Sequence, residues 1–257
     1  MDSRANQKPS TLNSRSDWKS FEGWIQALEH RLDAELPEAQ ARIFFTALKA
    51  ETQRAPSLLT RLRSEIEVHP EFFEMGGHVA PEIQFFLSQP EVWTEKHLPA
   101  LQRRTEWITG RLAILNCLAR SSSTGSSADA QLSFRSSVTH SDGHVIACGS
   151  RSKNGLGIDL ERTSRNISTA AVHRIASEAE RGLGLTPIEL WTIKEASFKA
   201  LQLQPPATIS QIVVNSIRGA KTGESSHLTK TCRYWIQSSR NWTVCVAFEV
   251  KPDTVSV

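Results

Sequence analysis

The chain has 257 residues, enough to bury a substantial core in one domain or in two fused halves. Its 30 basic and 27 acidic residues leave a formal charge of +3, so electrostatics gives no reason to expect nucleic acid as a partner. No apolar run of about 18 residues exists to span a bilayer, and the polar start lacks a signal-peptide pattern, so a cytoplasmic protein is expected.

Residues 1–16 are rich in Ser, Asn, Arg and Lys and are expected to be disordered. Trp18, Phe21, Ile25, Leu28 and Leu32 then repeat at helical spacing, predicting an amphipathic helix that ends near Pro37. A second helix, from about Glu38 to Thr52, is expected to bury Ile43, Phe44, Ala47 and Leu48. Both either pack on the rest of the fold or offer a surface to a partner protein. A long helix from Leu98 to Ala119 would turn Leu101, Ile108, Leu112 and Leu115 inward and set Arg104 and Arg111 on one face.

After a Ser/Gly-rich break at 121–127, strands are predicted at about 134–139, 144–151 and 155–161, with Asp142-Gly143 as a turn signal. Pairs of these strands could form a small antiparallel sheet. Residues 167–183 read as one helix. The next helix has strong local grammar: Thr186 as N-cap, Pro187 at the first helical position and Glu189 at the third form a capping box, and the helix stops before Pro205-Pro206. Three strands near 209–217, 232–237 and 243–250 follow, separated by Gly/Ser/Lys-rich turns. Strands, helices and strands in that order predict an α+β fold. Cys117, Cys148, Cys232 and Cys245 lack metal-ligand spacing and are expected to be free thiols, with Cys148 and Cys245 in the core.

The chemistry concentrates in two segments. Gly157-Ile158-Asp159-Leu160-Glu161 reads as a strand, so Asp159 and Glu161 share one face. Two carboxylates so placed repel unless a cation lies between them, and magnesium suits hard oxygen ligands completed by water and phosphate. On the capped helix, Trp191, Glu195 and Lys199 share a stripe beside a more apolar one of Leu190, Ile193, Ser197, Ala200 and Leu201. Taken alone, Glu195 and Lys199 are an ordinary solvated helix pair. With the strand carboxylates added they outline a metal and phosphate site.

Several ordered pieces resemble the 4'-phosphopantetheinyl transferase superfamily, surfactin/enterobactin type. Gln102 to Arg111 resembles the Arg-rich helix ending in Gly-Arg of the enterobactin branch. Ser137-Val138-Thr139-His140-Ser141 is similar to its Ser-Ile-Ser-His-Ser, and Gly157 to Glu161 to its Gly-Ile-Asp-Ile-Glu. Glu180-Arg181 resembles the Glu before the last motif, and Trp191 to Lys199 its Trp-x-x-Lys-Glu-Ala-x-x-Lys. The resemblance runs from about Pro81 to about Val250. Relatives carry a Gly/Pro-containing loop before the His motif, where this chain has a Ser-rich stretch without Pro, and residues 1–80 align with no family motif.

The resemblance implies two similar halves, each a helix on a small antiparallel sheet, related by a pseudo-twofold axis, plus an extra helical N-terminal segment. Residues 17–154 would hold that segment and the coenzyme A-binding first half, and 155–257 the metal site and catalytic helix, with Asp159 at the junction. The implied reaction moves phosphopantetheine from coenzyme A to a serine of an acyl or peptidyl carrier protein. The implied magnesium ligands are Asp159, Glu161 and Glu195, and Glu195 or Glu161 is the implied general base. Lys199 is implied on a phosphate oxygen, with Arg104 (or Arg103), Arg111, Thr139, His140 and Lys194 on coenzyme A. Longer enzymes of this type are monomers. Two readings from other classes stay open, a magnesium-dependent phosphohydrolase or nuclease and an inactive carrier-protein-binding module.

Overall fold

The computed structural model describes residues 134–150, 152, 154–218 and 222–250, with strand residues 44–49 and helical positions within 21–31 and 105–120. Residues 1–16, Leu101, Arg103, Arg104, Leu115 and the break at 121–127 lie outside the described residues. The order is β1 (Phe44–Lys49), β2 (Arg135–Ser141), β3 (His144–Ser150), β4 (Leu156–Arg162), α1 (Thr169–Ile175), α2 (Glu178–Arg181), α3 (Pro187–Ala200), β5 (Val213–Arg218), β6 (Thr222–His227), β7 (Lys230–Ser238) and β8 (Trp242–Val250). Two antiparallel sheets result, one of three strands in the order β1-β3-β2 and one of five in the order β4-β8-β7-β6-β5. The fold is α+β, and no helix among the described residues is long and apolar enough to cross a membrane.

Local chemistry explains most elements. Asp142 and Gly143 both have positive φ, 48° and 73°, so the hairpin between β2 and β3 closes on the pair best able to adopt that conformation. At α3, Thr186 Oγ1 accepts from the Glu189 amide while the Glu189 carboxylate accepts from the Thr186 amide, the expected capping box with Pro187 at the first position. The N-terminal helical positions bury Phe21, Ile25 and Leu28 against Ile158, Leu160, Trp242 and Val246, on the face of the five-stranded sheet opposite α3. Ala196, Ala200 and Ile193 of α3 pack on Tyr234, Cys245 and Ala247. Ile108 and Leu112 are buried as expected, and all four cysteines are free and buried.

Four elements differ from expectation. Phe44–Lys49 is a strand rather than part of a helix, because it completes the free edge of β3 with six paired positions and two adjacent aromatics favour the pleated surface. The expected helix over 167–183 is two, since Ser177 leaves the helical path to cap α2 with a capping box of its own to Glu180. Ile209–Gln211 forms a 3-10 turn, so the strand there begins only at Val213. Thr222–His227, read as part of a turn-rich connection, is the strand β6; its polar sequence hid it, and Gly223 leaves room for the Tyr234 ring above. The expected antiparallel pairing is made by β2 and β3, and β4 forms the edge of the other sheet.

The position of α3 depends on Gly157. A Cβ there would meet the Ala196 carbonyl oxygen at 1.9 Å, so the helix rests directly on the backbone of β4. Gly157→Ala is expected to destabilise the protein by about 2 kcal/mol or more in urea denaturation, because helix and strand must separate. Gly182→Ala, where φ is −75° and the nearest contact is 3.3 Å, should stay within about 1 kcal/mol of wild type.

Candidate functional site

The site forms where the two sheets meet edge to edge. β2 and β4 are both edge strands, and hydroxyls replace a backbone ladder between them. The Ile158 amide donates to Ser137 Oγ at 3.0 Å and the Leu160 amide to Thr139 Oγ1 at 3.3 Å. Ser141 Oγ lies 3.5 Å from Glu161 Oε2, so Ser137, Thr139 and Ser141, at strand period two, line β4 from one side. Unpaired edge amides are thereby satisfied without fusing the sheets.

Asp159 is the centre of this junction. It is 6% exposed, and its Oδ1 accepts from Thr139 Oγ1 at 3.1 Å and from Lys199 Nζ at 2.9 Å. Lys199 also donates to the Ile158 carbonyl at 2.9 Å, so α3 is tied to β4 by the lysine that shares a stripe with Glu195. Asp159 Oδ2 is buried and has no hydrogen-bond partner. An unpaired carboxylate oxygen in that position is a ready ligand for a cation. Glu161 pairs through Oε1 with Arg165 Nη1.

The three carboxylates share one electrostatic environment. Burial raises Asp159 above its ordinary value, with Lys199 and Thr139 opposing. Burial raises Glu161 as well, then the charge of Asp159, with a further contribution from Glu195. For Glu195 the causes are again burial and then Asp159. All three acids are desolvated, and Glu161 and Glu195 are also repelled by Asp159; a divalent cation would offset both effects, which together with the orphaned Oδ2 fits the residues to a metal. As they stand, with Lys199 on Asp159 and Arg165 on Glu161, no group of three or more His, Cys, Asp or Glu side chains among the described residues is arranged to hold one.

The structure brings Asp159, Glu161, Glu195, Lys199 and Thr139 together and separates others. Lys194 is fully buried, 2.6 Å from Glu180 Oε1 and donating to the Ile212 carbonyl, so it is not at the site; one residue along a helix is about 100° of rotation, and that turns it from the Glu195 stripe toward α2 and β5. Burial alone would raise Glu180, but donation from Lys194 and from the Val214 and Ser177 amides brings it below its ordinary value. His140 is on the opposite face of β2 from Thr139, with Nδ1 3.3 Å from Glu106 Oε2 on the helix within 105–120. Gly110 lets that helix approach Val138, and Arg111 follows it, half-buried. Arg104 lies outside the described residues. Ser137 and Arg165 were not anticipated. The period-two hydroxyl row in Ser137-Val138-Thr139-His140-Ser141 was the available signal for the first, and the second is placed by a turn that sequence spacing does not reveal.

No protein-family model matches the chain, and no curated protein matches it either.

Two outcomes are expected from these charges. Acids whose folded pKa is raised contribute stability that is full below their ordinary values of 3.8 for Asp and 4.5 for Glu and is lost as pH rises through the folded values. Metal-free protein should therefore melt at higher temperature as pH falls through the raised folded values toward the ordinary ones, and then lose stability as pH falls below the ordinary Glu value of 4.5 and Glu180, whose folded value is depressed, is protonated. Scanning calorimetry across that range checks both limbs, and excess magnesium should flatten the upper one. Separately, Lys194→Met leaves Glu180 buried beside an uncharged side chain and should cost about 3–5 kcal/mol in chemical denaturation.

Proposed function

We propose that the protein transfers 4'-phosphopantetheine from coenzyme A to a carrier-protein serine, as a member of the surfactin/enterobactin type of phosphopantetheinyl transferase. The observation that carries this reading is Asp159, buried between Thr139 and Lys199 with one carboxylate oxygen unpaired, in electrostatic contact with Glu161 and Glu195. On this reading the two sheets are the cores of two similar halves about a pseudo-twofold axis, and the β2–β4 junction is the cleft between them.

Asp159, Glu161 and Glu195 would hold a magnesium ion, which would supply positive charge to offset the negative charge on the pyrophosphate and the leaving 3',5'-ADP. The serine oxygen forms a bond to the phosphorus bearing pantetheine as the bond from that phosphorus to the ADP oxygen breaks. Glu195 accepts the serine proton, directly or through water. That role competes with metal ligation, because a metal-bound carboxylate is a weaker base, and Glu161 is the alternative. Lys199 carries three N–H donors and uses two on Asp159 and the Ile158 carbonyl, so the third is available to a phosphate oxygen. His140 and Arg111 would hold the nucleotide end, with Glu106 orienting the imidazole.

The second reading, a carrier-protein-binding module without activity, is favoured by the ion pairs that occupy Asp159 and Glu161. Incubating the protein with coenzyme A, magnesium and an apo carrier protein separates the readings. Transfer predicts a mass gain of one phosphopantetheine that a chelator abolishes and that Glu195→Gln slows by about 10²–10⁴. Carrier binding with no mass gain would leave the module, and release of phosphate from coenzyme A alone would indicate a hydrolase.

A further inference from the structure

We propose that Arg165 is a displaceable latch on this site: its guanidinium occupies the Glu161 carboxylate that a divalent cation would use, so cation binding requires the arginine to leave. The inference rests on the metal reading of Asp159, Glu161 and Glu195 given above. It concerns what sets the affinity of those ligands.

One arginine ends β4 and another follows it three residues on, and they differ in kind. Arg162 is fixed: its side chain is 16% exposed, its Nε donates to Asp142 Oδ2 at 2.9 Å, and its guanidinium lies 3.9 Å from the Trp242 ring centroid. Arg165 is 45% exposed and holds Glu161 through Nη1 only. The turn that carries it is anchored at its base, where the Thr163 amide donates to the Asn241 carbonyl at 3.1 Å and Thr163 Oγ1 to the Ser239 carbonyl at 3.1 Å. The Arg165 amide then donates to the Arg162 carbonyl at 2.9 Å, which folds the backbone back toward Glu161. The backbone is held while the side chain faces solvent, a combination that lets the guanidinium swing without moving the strand.

Trp191 supplies a second support. Its ring centroid is 5.3 Å from Arg165 Cζ, and it stands on α3 one turn before Glu195, so the guanidinium spans from β4 to the catalytic stripe of the helix. The positive charge of Arg165 also reaches Asp159 and Glu195. It therefore does in part what a metal would do, and the two compete for the same negative charge. The pair is exposed on the arginine side only, 45% against 12% for Glu161, so water screens it in part and solvates the guanidinium when it leaves.

The test is manganous ion binding to the metal-free full chain, followed by the paramagnetic resonance signal of free Mn²⁺, with thermal melts confirming that each variant is folded. Arg165→Gln should bind Mn²⁺ about threefold to tenfold more tightly than wild type, and Arg165→Lys should fall between them. Arg162→Gln, the same change in charge on the same strand end, should stay within about twofold. Glu161→Gln should weaken binding. If Arg165→Gln matches wild type, or Arg162→Gln tightens binding equally, the latch is wrong while the metal reading stands. If Glu161→Gln binds Mn²⁺ as wild type does, the metal reading fails and the latch fails with it.

Discussion

The contact of α3 with β4 through Gly157 is the constraint on which the site depends. Because the helix rests on strand backbone, the Lys199 side chain is long enough to reach both the Ile158 carbonyl and Asp159, and Glu195 is brought within range of the strand carboxylates. A side chain at 157 would lift the helix off and spread the charges. The glycine in the Gly-x-Asp-x-Glu pattern is thus a packing residue whose effect is electrostatic: it fixes how close the acids and the lysine come.

The second dependency is rotational. Helix α3 presents Lys194 and Glu195 in opposite chemical roles, one sealed against Glu180 and one facing the carboxylates of β4. The buried pair costs desolvation of two charges, which the Ser177 and Val214 amides and the Ile212 carbonyl help to offset. In exchange the helix has one angular setting relative to β5 and α2. Position along β4 comes from glycine and orientation about the axis from the ion pair, so two separate contacts define the placement of Glu195.

Much of this was legible in the sequence where local chemistry decides the outcome. The capping box at Thr186, the Asp142-Gly143 turn and the alternation of Gly157, Asp159 and Glu161 each involve only near neighbours, and each appears as expected. What was not legible depends on partners distant in sequence. Phe44–Lys49 satisfies helical spacing as well as strand propensity, and only the open edge of β3 selects the strand. Lys194 sits in a motif beside Glu195, and no spacing rule says that Glu180 and Ile212 will claim it. His140 follows Thr139 directly, yet the pleat sends the two to opposite faces, toward Glu106 and Asp159 respectively.

The four buried cysteines have a practical side. Burial pushes Cys148 and Cys245 far above an ordinary thiol, Cys245 with help from the negative charge of Asp159, and Cys232 is raised as well. Cys117 is equally enclosed, near Thr46 and the Ala147 carbonyl. Thiolate is the species that maleimides and iodoacetamides attack, so the native thiols are poor targets while the fold is intact. A cysteine introduced at Leu228, 90% exposed on the β6–β7 turn, becomes a single addressable handle for a fluorophore or spin label, with no native cysteine needing to be removed.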